Sequence, residues 1–270
     1  WIDWSHVRKI YERHDAKSMD RKKNLDRHVA LLDFSASIRN GITAVLGPKG
    51  SGKTSLLKIT ATMMIPDDGR VTYRLSDGEE LVWSQNSIAS NGKKDIEYLR
   101  EKIGYVPSLL KMNHPITCEE ALLYIGQLRR VPNLRKRCAE LIAKWGLAGY
   151  RRKFLSELPV SVLKRYLIAQ SRLASPEIWI LDEPTFGLDD LGRRLLIDEL
   201  KNNVTKEQIV ILATSDMELA ELADDLILVE HGSCRRIGKK KFLTASVSEG
   251  TVAAWYQAMQ VFARLHNPVV

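Results

Sequence analysis

The stretch from Gly41 to Met64, GITAVLGPKGSGKTSLLKITATMM, limits what this chain can fold into more than any other. A short apolar run, Ile42 to Leu46, leads into a glycine-punctuated loop, and a helical pattern begins at Lys53. That is strand, loop and helix, the context a phosphate-binding loop requires. Gly47 to Thr54 fits the pattern G-x-x-x-x-G-K-[ST] in full. Glycines at 50 and 52 let backbone N–H groups turn inward around an anion, where side chains would obstruct. The helix start adds its positive end at the same point. Gly47, Pro48, Lys49, Gly50, Ser51, Gly52, Lys53, Thr54 and Ser55 are therefore the expected nucleotide-binding set. Lys53 has the reach for β- and γ-phosphates, and the Thr54 hydroxyl is an expected Mg²⁺ ligand.

Such a loop needs an acidic residue at the end of an apolar strand. EIWILDEPTFGLDD supplies it, with Ile178 to Leu181 as the strand, Asp182 closing it and Glu183 following. Asp182 is expected to hold Mg²⁺ through water, and Glu183 to orient or deprotonate the attacking water as the catalytic residue. Two adjacent carboxylates are costly neighbours, which a bound cation relieves.

At 270 residues, 44% apolar and 27% charged, the chain has the composition of an ordinary globular protein able to bury a core. No window approaches the run of about 20 apolar residues that a spanning helix needs. No secretory signal pattern is read, and Cys118, Cys138 and Cys234 have neither metal-ligand spacing nor an even framework, so a cytosolic compartment is expected. The net charge of +8 raises nucleic acid, anionic lipid or plain solubility. The basic runs RKKNLDRH, RRVPNLRKR and RRIGKKK are scattered and lack aromatic interleaving, which favours a membrane-proximal surface over a specific nucleic-acid groove.

With GPKGSGKTS and WILDEP in place, the chain resembles the ATP-binding subunit of ABC transporters, of the exporter-like kind, from about Val7 to Gly238. The resemblance implies an α/β fold, a P-loop NTPase core with an antiparallel β-subdomain and an inserted α-helical subdomain. On that basis residues 1–244 form the ATPase domain, with the helical subdomain at about 109–170, and residues 245–270 form a tail. It also implies ATP and Mg²⁺ as cofactors, hydrolysis of ATP, an integral membrane transporter subunit as partner, and a second ATPase chain in a homo- or heterodimer. The protein would then sit at the cytoplasmic face of the cell membrane. In the family an aromatic stacks on adenine, and VRKIY offers Tyr11; an edge-strand packing role fits Tyr11 equally. Residues 12–28 read as a charged insertion.

Three slots depart from the family. Its Leu-Ser-Gly-Gly-Gln signature caps the γ-phosphate held by the opposite subunit, and the matching positions here are Leu158, Pro159, Val160, Ser161 and Val162. A rival register begins at Leu155 and Ser156. Proline has no N–H to give, although it suits the first turn of a helix, and Val160 puts branched carbon where the family brings bare backbone. The slot for a glutamine that touches Mg²⁺ holds Ser108, which is too short to span the gap, and the slot for a γ-phosphate histidine is read as Asp216. Asp189 of GLDD belongs near the subunit joint. These departures keep open a slow or partner-dependent ATPase and a regulatory ATP-binding half of a heterodimer, and the basic charge keeps open a soluble ABC ATPase with no transport role.

Elsewhere, Asp95 to about Arg152 reads as one strand-like piece followed by helices, with a capping box from Thr117 to Glu120. Leu75 to Lys94 reads as an elaborated hairpin, and VAAWYQAMQVFARL in the tail has roughly helical spacing, to pack on the domain or on a partner.

Overall fold

The computed structural model describes residues 1–14, 25–88, 93–108 and 115–266. The chain opens with β1 (Ile2–His14), β2 (Leu25–Ile38) and β3 (Gly41–Leu46), then α1 (Lys53–Thr60), β4 (Asp68–Arg74) and β5 (Glu80–Ser84). Next come α2 (Lys93–Lys102), β6 (Ile103–Val106), α3 (Cys118–Leu128), α4 (Leu134–Lys144) and α5 (Val160–Ser171). The second half runs β7 (Ile178–Asp182), α6 (Asp190–Asn202), β8 (Ile209–Ala213), α7 (Met217–Ala220), β9 (Asp225–Glu230) and β10 (Ser233–Lys239). Helices α8 (Lys240–Thr244) and α9 (Val252–His266) follow.

Among the described residues the ten strands join one sheet in the order β5-β4-β1-β2-β10-β9-β3-β8-β7-β6. Strands β9, β3, β8, β7 and β6 are parallel, whereas β5, β4, β1 and β2 pair antiparallel. The fold is thus a P-loop α/β core with an antiparallel β-region and a helical arm. Parallel strands covered on both faces must be apolar on both, and β7 and β8 are buried at every position. Their alternation divides two cores. Trp179, Leu181, Val210 and Leu212 face α3 to α6 and α9, while Ile178, Ile180, Ile209 and Ile211 face α1 and the antiparallel region. Thr60, at the end of α1, accepts from Trp4 Nε1 at 2.8 Å through its hydroxyl and from the Tyr73 hydroxyl at 2.7 Å through its carbonyl. These bonds fix the antiparallel region to the helix that leaves the phosphate loop.

The Thr117–Glu120 capping box starts α3 as expected. Three expectations need correction. Residues 93–102 are the helix α2, not part of a strand; only Ile103–Val106 is extended. The expected insertion at 12–28 is strand at both flanks, out to His14 and again from Leu25, while residues 15–24 lie outside the described residues. Among the described residues the hairpin is formed by β4 and β5, turning at Gly78, with a 3₁₀ turn at Gln85–Ile88 after it, while residues 89–92 of the expected hairpin lie outside the described residues. The tail contributes to the core, since Val252 and Trp255 of α9 are buried among the helices.

Candidate nucleotide site

The loop between β3 and α1 is built on close backbone approaches. A Cβ on Gly47 would stand 2.1 Å from the Val229 carbonyl oxygen, and one on Gly52 would stand 2.2 Å from that of Ala30. Gly50 has open space around it, but its φ of +82° is the region that favours glycine. Its requirement is therefore conformational, not the avoidance of an obstruction. Lys53 folds back over the loop, its Nζ donating to the carbonyls of Gly47 at 2.6 Å and Pro48 at 2.9 Å. Burial lowers its pKa, and the Glu183 and Asp182 carboxylates pull it back up.

Thr54 Oγ1 donates to Asp182 Oδ1 at 3.2 Å, which joins the first turn of α1 to the end of β7. Asp182 is 1% exposed, and its Oδ2 has no hydrogen-bond partner of good geometry among the described residues. Burial raises its pKa, eased by the hydroxyls of Thr54 and Ser108 and by the Lys164 ammonium. A buried carboxylate with an orphaned oxygen, beside a hydroxyl and a second carboxylate, is an oxygen donor set that fits Mg²⁺. Glu183 holds a left-handed φ of +43°, a strained conformation for a side-chain-bearing residue. Its Oε2 accepts from the Ser215 backbone N–H at 3.0 Å and from Ser215 Oγ at 2.9 Å.

These groups line a cleft of about 530 Å³ that also takes in Tyr11, His28, Lys49, Phe186 and Ser215. The Tyr11 hydroxyl lies 3.0 Å from Ser55 Oγ and donates to Met64 Sδ at 3.2 Å, so β1 brings its ring to the rim. Sequence reading missed His28 because it fell in the supposed insertion. Pairing of Tyr11 with His28 across β1 and β2 is the signal that could have placed it.

The three departures occupy distinct positions. Pro159 is the N-cap of α5, one residue before the first turn, and Val160 behind it is 66% exposed. Helix α5 begins in accord with the register counted from Leu158, while Leu155–Glu157 forms a separate 3₁₀ turn. Ser108 lies two residues past the end of β6, with its hydroxyl beside Asp182. Asp216 is not the residue facing the cleft. It is the N-cap of α7, accepting from the Leu219 N–H at 3.1 Å, and it pairs with Arg193 Nη2 at 2.9 Å. Ser215, one position earlier, lines the cleft; the D-x-x spacing from Asp216 to Leu219 was the sequence sign of a cap. Asp189 likewise caps α6 through the Gly192 N–H at 2.8 Å, with Arg165 Nη2 at 3.6 Å.

A family model described as "ABC transporter" matches residues 31–186, more than half of the chain. The chain belongs to the ABC transporter family. The daunorubicin resistance ATP-binding protein DrrA3 of Streptomyces coeruleorubidus is 29% identical over 81% of this chain and 62% of its own length. The Nod factor export ATP-binding protein I of a Rhizobium species is 28% identical over 78% of this chain and 66% of its own length. The chain thus spans less than two thirds of either relative. In fold it is similar to the ATP-binding cassette MJ0796, solved as a dimer in a post-hydrolysis state with ADP and Pi, with a TM-score of 0.66 at 22% identity over 88% of this chain and 98% of that one. Among the described residues of this ABC cassette, no helix is long and apolar enough to cross a membrane.

Proposed function

We propose that this chain is the ATP-binding subunit of an ABC transporter, binding Mg-ATP in the cleft of Lys53, Asp182 and Tyr11 and coupling its hydrolysis to a separate membrane subunit. The observation that carries the reading is the convergence of the phosphate loop, the orphaned Asp182 carboxylate and Glu183 in one cleft. Tyr11 lies against the adenine, the loop N–H groups and Lys53 take the phosphates, and Thr54 and Asp182 hold Mg²⁺. Bound Mg²⁺ neutralises phosphate charge; Glu183 accepts the proton of the attacking water through Oε1, its other oxygen being engaged by Ser215. Residues 1–244 act as the ATPase unit, with the arm at 109–170 facing the membrane partner at the cytoplasmic surface. The dimer partner is a second ATPase chain. Pro159 offers no N–H at the head of α5, so this chain is a poor cap for its partner's nucleotide, whereas a partner with an intact signature completes the cleft described above.

Steady-state phosphate release with Mg-ATP, measured beside a Glu183→Gln variant, tests the reading. Release should fall about 10²- to 10⁴-fold in the variant while ATP binding persists. Release by the wild type that the variant matches would overturn the role of Glu183. Absence of ATP binding in both would overturn the site.

A further inference from the structure

A second open cavity, of about 800 Å³, lies at the end of the sheet away from the phosphate loop. Strand β3 runs between the two: Gly41 and Ile42 line the cavity, and Leu46, about 17 Å farther along the strand, leads into the loop. Leu200, Val204 and Leu222 give the cavity an apolar lining. Five lysines share it: Lys201 in the last turn of α6, Lys206 in the loop before β8, and Lys239, Lys240 and Lys241 where β10 passes into α8. Against them the lining holds one carboxylate, Asp224, whose Oδ2 accepts from the Ile42 N–H at 2.8 Å. Lys239 pairs with Asp225 at 2.8 Å and Lys240 with Glu221 at 3.6 Å. Lys201, Lys206 and Lys241 meet no carboxylate among the described residues; Lys241 lies over the Phe242 ring at 4.8 Å. The cavity thus has three uncompensated cations beside apolar side chains.

The chemistry of the lining narrows the occupant. Phosphate is typically held by free backbone N–H groups or an arginine fork. Here the N–H groups of Gly41, Ile42, Asp224 and Lys240 are already engaged, by the Gln208 carbonyl, the Asp224 carboxylate, and the Ile42 and Asp224 carbonyls, and no arginine lines the cavity. No aromatic ring lines it either, so nucleic-acid bases have nothing to stack on. Its apolar side chains are recessed, Leu200 being 2% and Ile42 7% exposed, whereas a bilayer-binding helix presents its apolar face outward. Separate point charges beside a recessed apolar surface suit carboxylates spaced along an apolar body.

We infer that this cavity is a docking groove for an acidic, amphipathic peptide segment of a partner protein, its apolar side chains against Leu200, Val204 and Leu222 and its carboxylates on Lys201, Lys206 and Lys241. The inference stands apart from the nucleotide-site reading, because no residue is shared between the two cavities.

The test is fluorescence anisotropy of a labelled peptide of Glu, Asp and Leu, with leucines at helical i, i+3, i+4 spacing, titrated with the full chain. Binding should be on the order of 10 µM and should weaken about tenfold or more in the triple variant Lys201→Glu, Lys206→Glu, Lys241→Glu. The triple Lys→Gln variant should lose less, in the same direction. A peptide with Ser for Leu should bind about tenfold more weakly than the Leu peptide. Arg135→Glu with Lys136→Glu, a pair of exposed cations on the helical arm, should leave binding unchanged. Thermal melts check that the variants fold. Equal losses in the two charge-reversed variants, or equal binding of the Ser and Leu peptides, would reduce the effect to general attraction and overturn the inference. Displacement of the peptide by inorganic phosphate at equal concentration would make the groove an anion site. Binding to phosphatidylserine vesicles through the same three lysines, with no binding of the peptide, would make it a membrane surface; either result overturns the peptide assignment.

Discussion

Asp182 ends a strand whose other four residues are apolar and buried, so its carboxylate is carried into the interior by the register that packs Ile178 and Ile180 towards α1. Burial raises its pKa above the ordinary 3.8. The sign follows from linkage: a folded state that holds a proton more tightly than the unfolded one loses stability as pH rises through the raised pKa. Without nucleotide, the charged Asp182 therefore costs stability at neutral pH, and that cost disappears below about the unfolded value of 3.8. Asp182→Asn should raise the stability of the nucleotide-free protein at pH 7 on the order of 1 kcal/mol, with the gain shrinking on acidification. The same variant should lose the stabilisation that Mg-ATP gives the wild type. Paired thermal melts across pH, with and without Mg-ATP, measure both effects. A variant less stable than the wild type at pH 7 would show that Asp182 pays its way in the fold.

Helical elements meet on another buried carboxylate. Glu199 of α6, 3% exposed, accepts from Arg172 Nε at 2.7 Å just past α5 and pairs with Lys144 at the end of α4 at 2.5 Å. Arg172 also stacks over the Trp179 ring of β7 at 4.8 Å, so three helices and a strand depend on one charge cluster. Glu199→Ala should destabilise the protein by about 3–5 kcal/mol, because it strands a buried guanidinium. Glu199→Leu combined with Arg172→Met should cost less than the sum of the single changes, which urea unfolding of the double-mutant cycle would read. Elements of this apolar kind were legible in the sequence: β3, β7, the phosphate loop and the α3 cap all carry strong local signals. Others were not. The apolar positions of α2 are few, and the adjoining IGYV strand dominated the reading of the segment. The far ends of β1 and β2 are charged, yet Glu12 and Arg27 stand opposite each other and pair at 3.3 Å. Cross-strand charge pairs stabilise a solvated hairpin that a hydropathy pattern takes for an insertion. Ser215 was missed by one residue, since strand ends fix a loop slot only when the cap that follows is recognised.

At the scale of the molecule, the antiparallel region that carries Tyr11 and His28 must stay in register with the parallel core that carries the phosphate loop. The two regions meet at β2 and β10, where the ladder is the single pair Ser233 and Asp33. Gly232 makes up for that short ladder. Its carbonyl accepts from the Leu32 N–H at 3.0 Å, and its N–H donates to the Ser51 carbonyl of the phosphate loop at 3.1 Å. One residue thus links β2 to the loop. With φ at +72°, a Cβ on Gly232 would stand 2.8 Å from the backbone of Ala30, Leu31 and Leu32 at once. Gly232→Ala should therefore force the seam apart without emptying either core, lowering ATP affinity by about tenfold or more. Amide exchange at Leu32 should quicken while the amides of β7 and β8 stay protected. Gly78→Ala is the control, because Gly78 has a similar φ of +88° in the β4–β5 turn but nothing within 4 Å of an added Cβ. It should cost about 1 kcal/mol of stability and leave ATP affinity unchanged. Equal loss of affinity in the two variants would mean that backbone strain anywhere in the antiparallel region reaches the cleft, and that Gly232 does not couple the two halves.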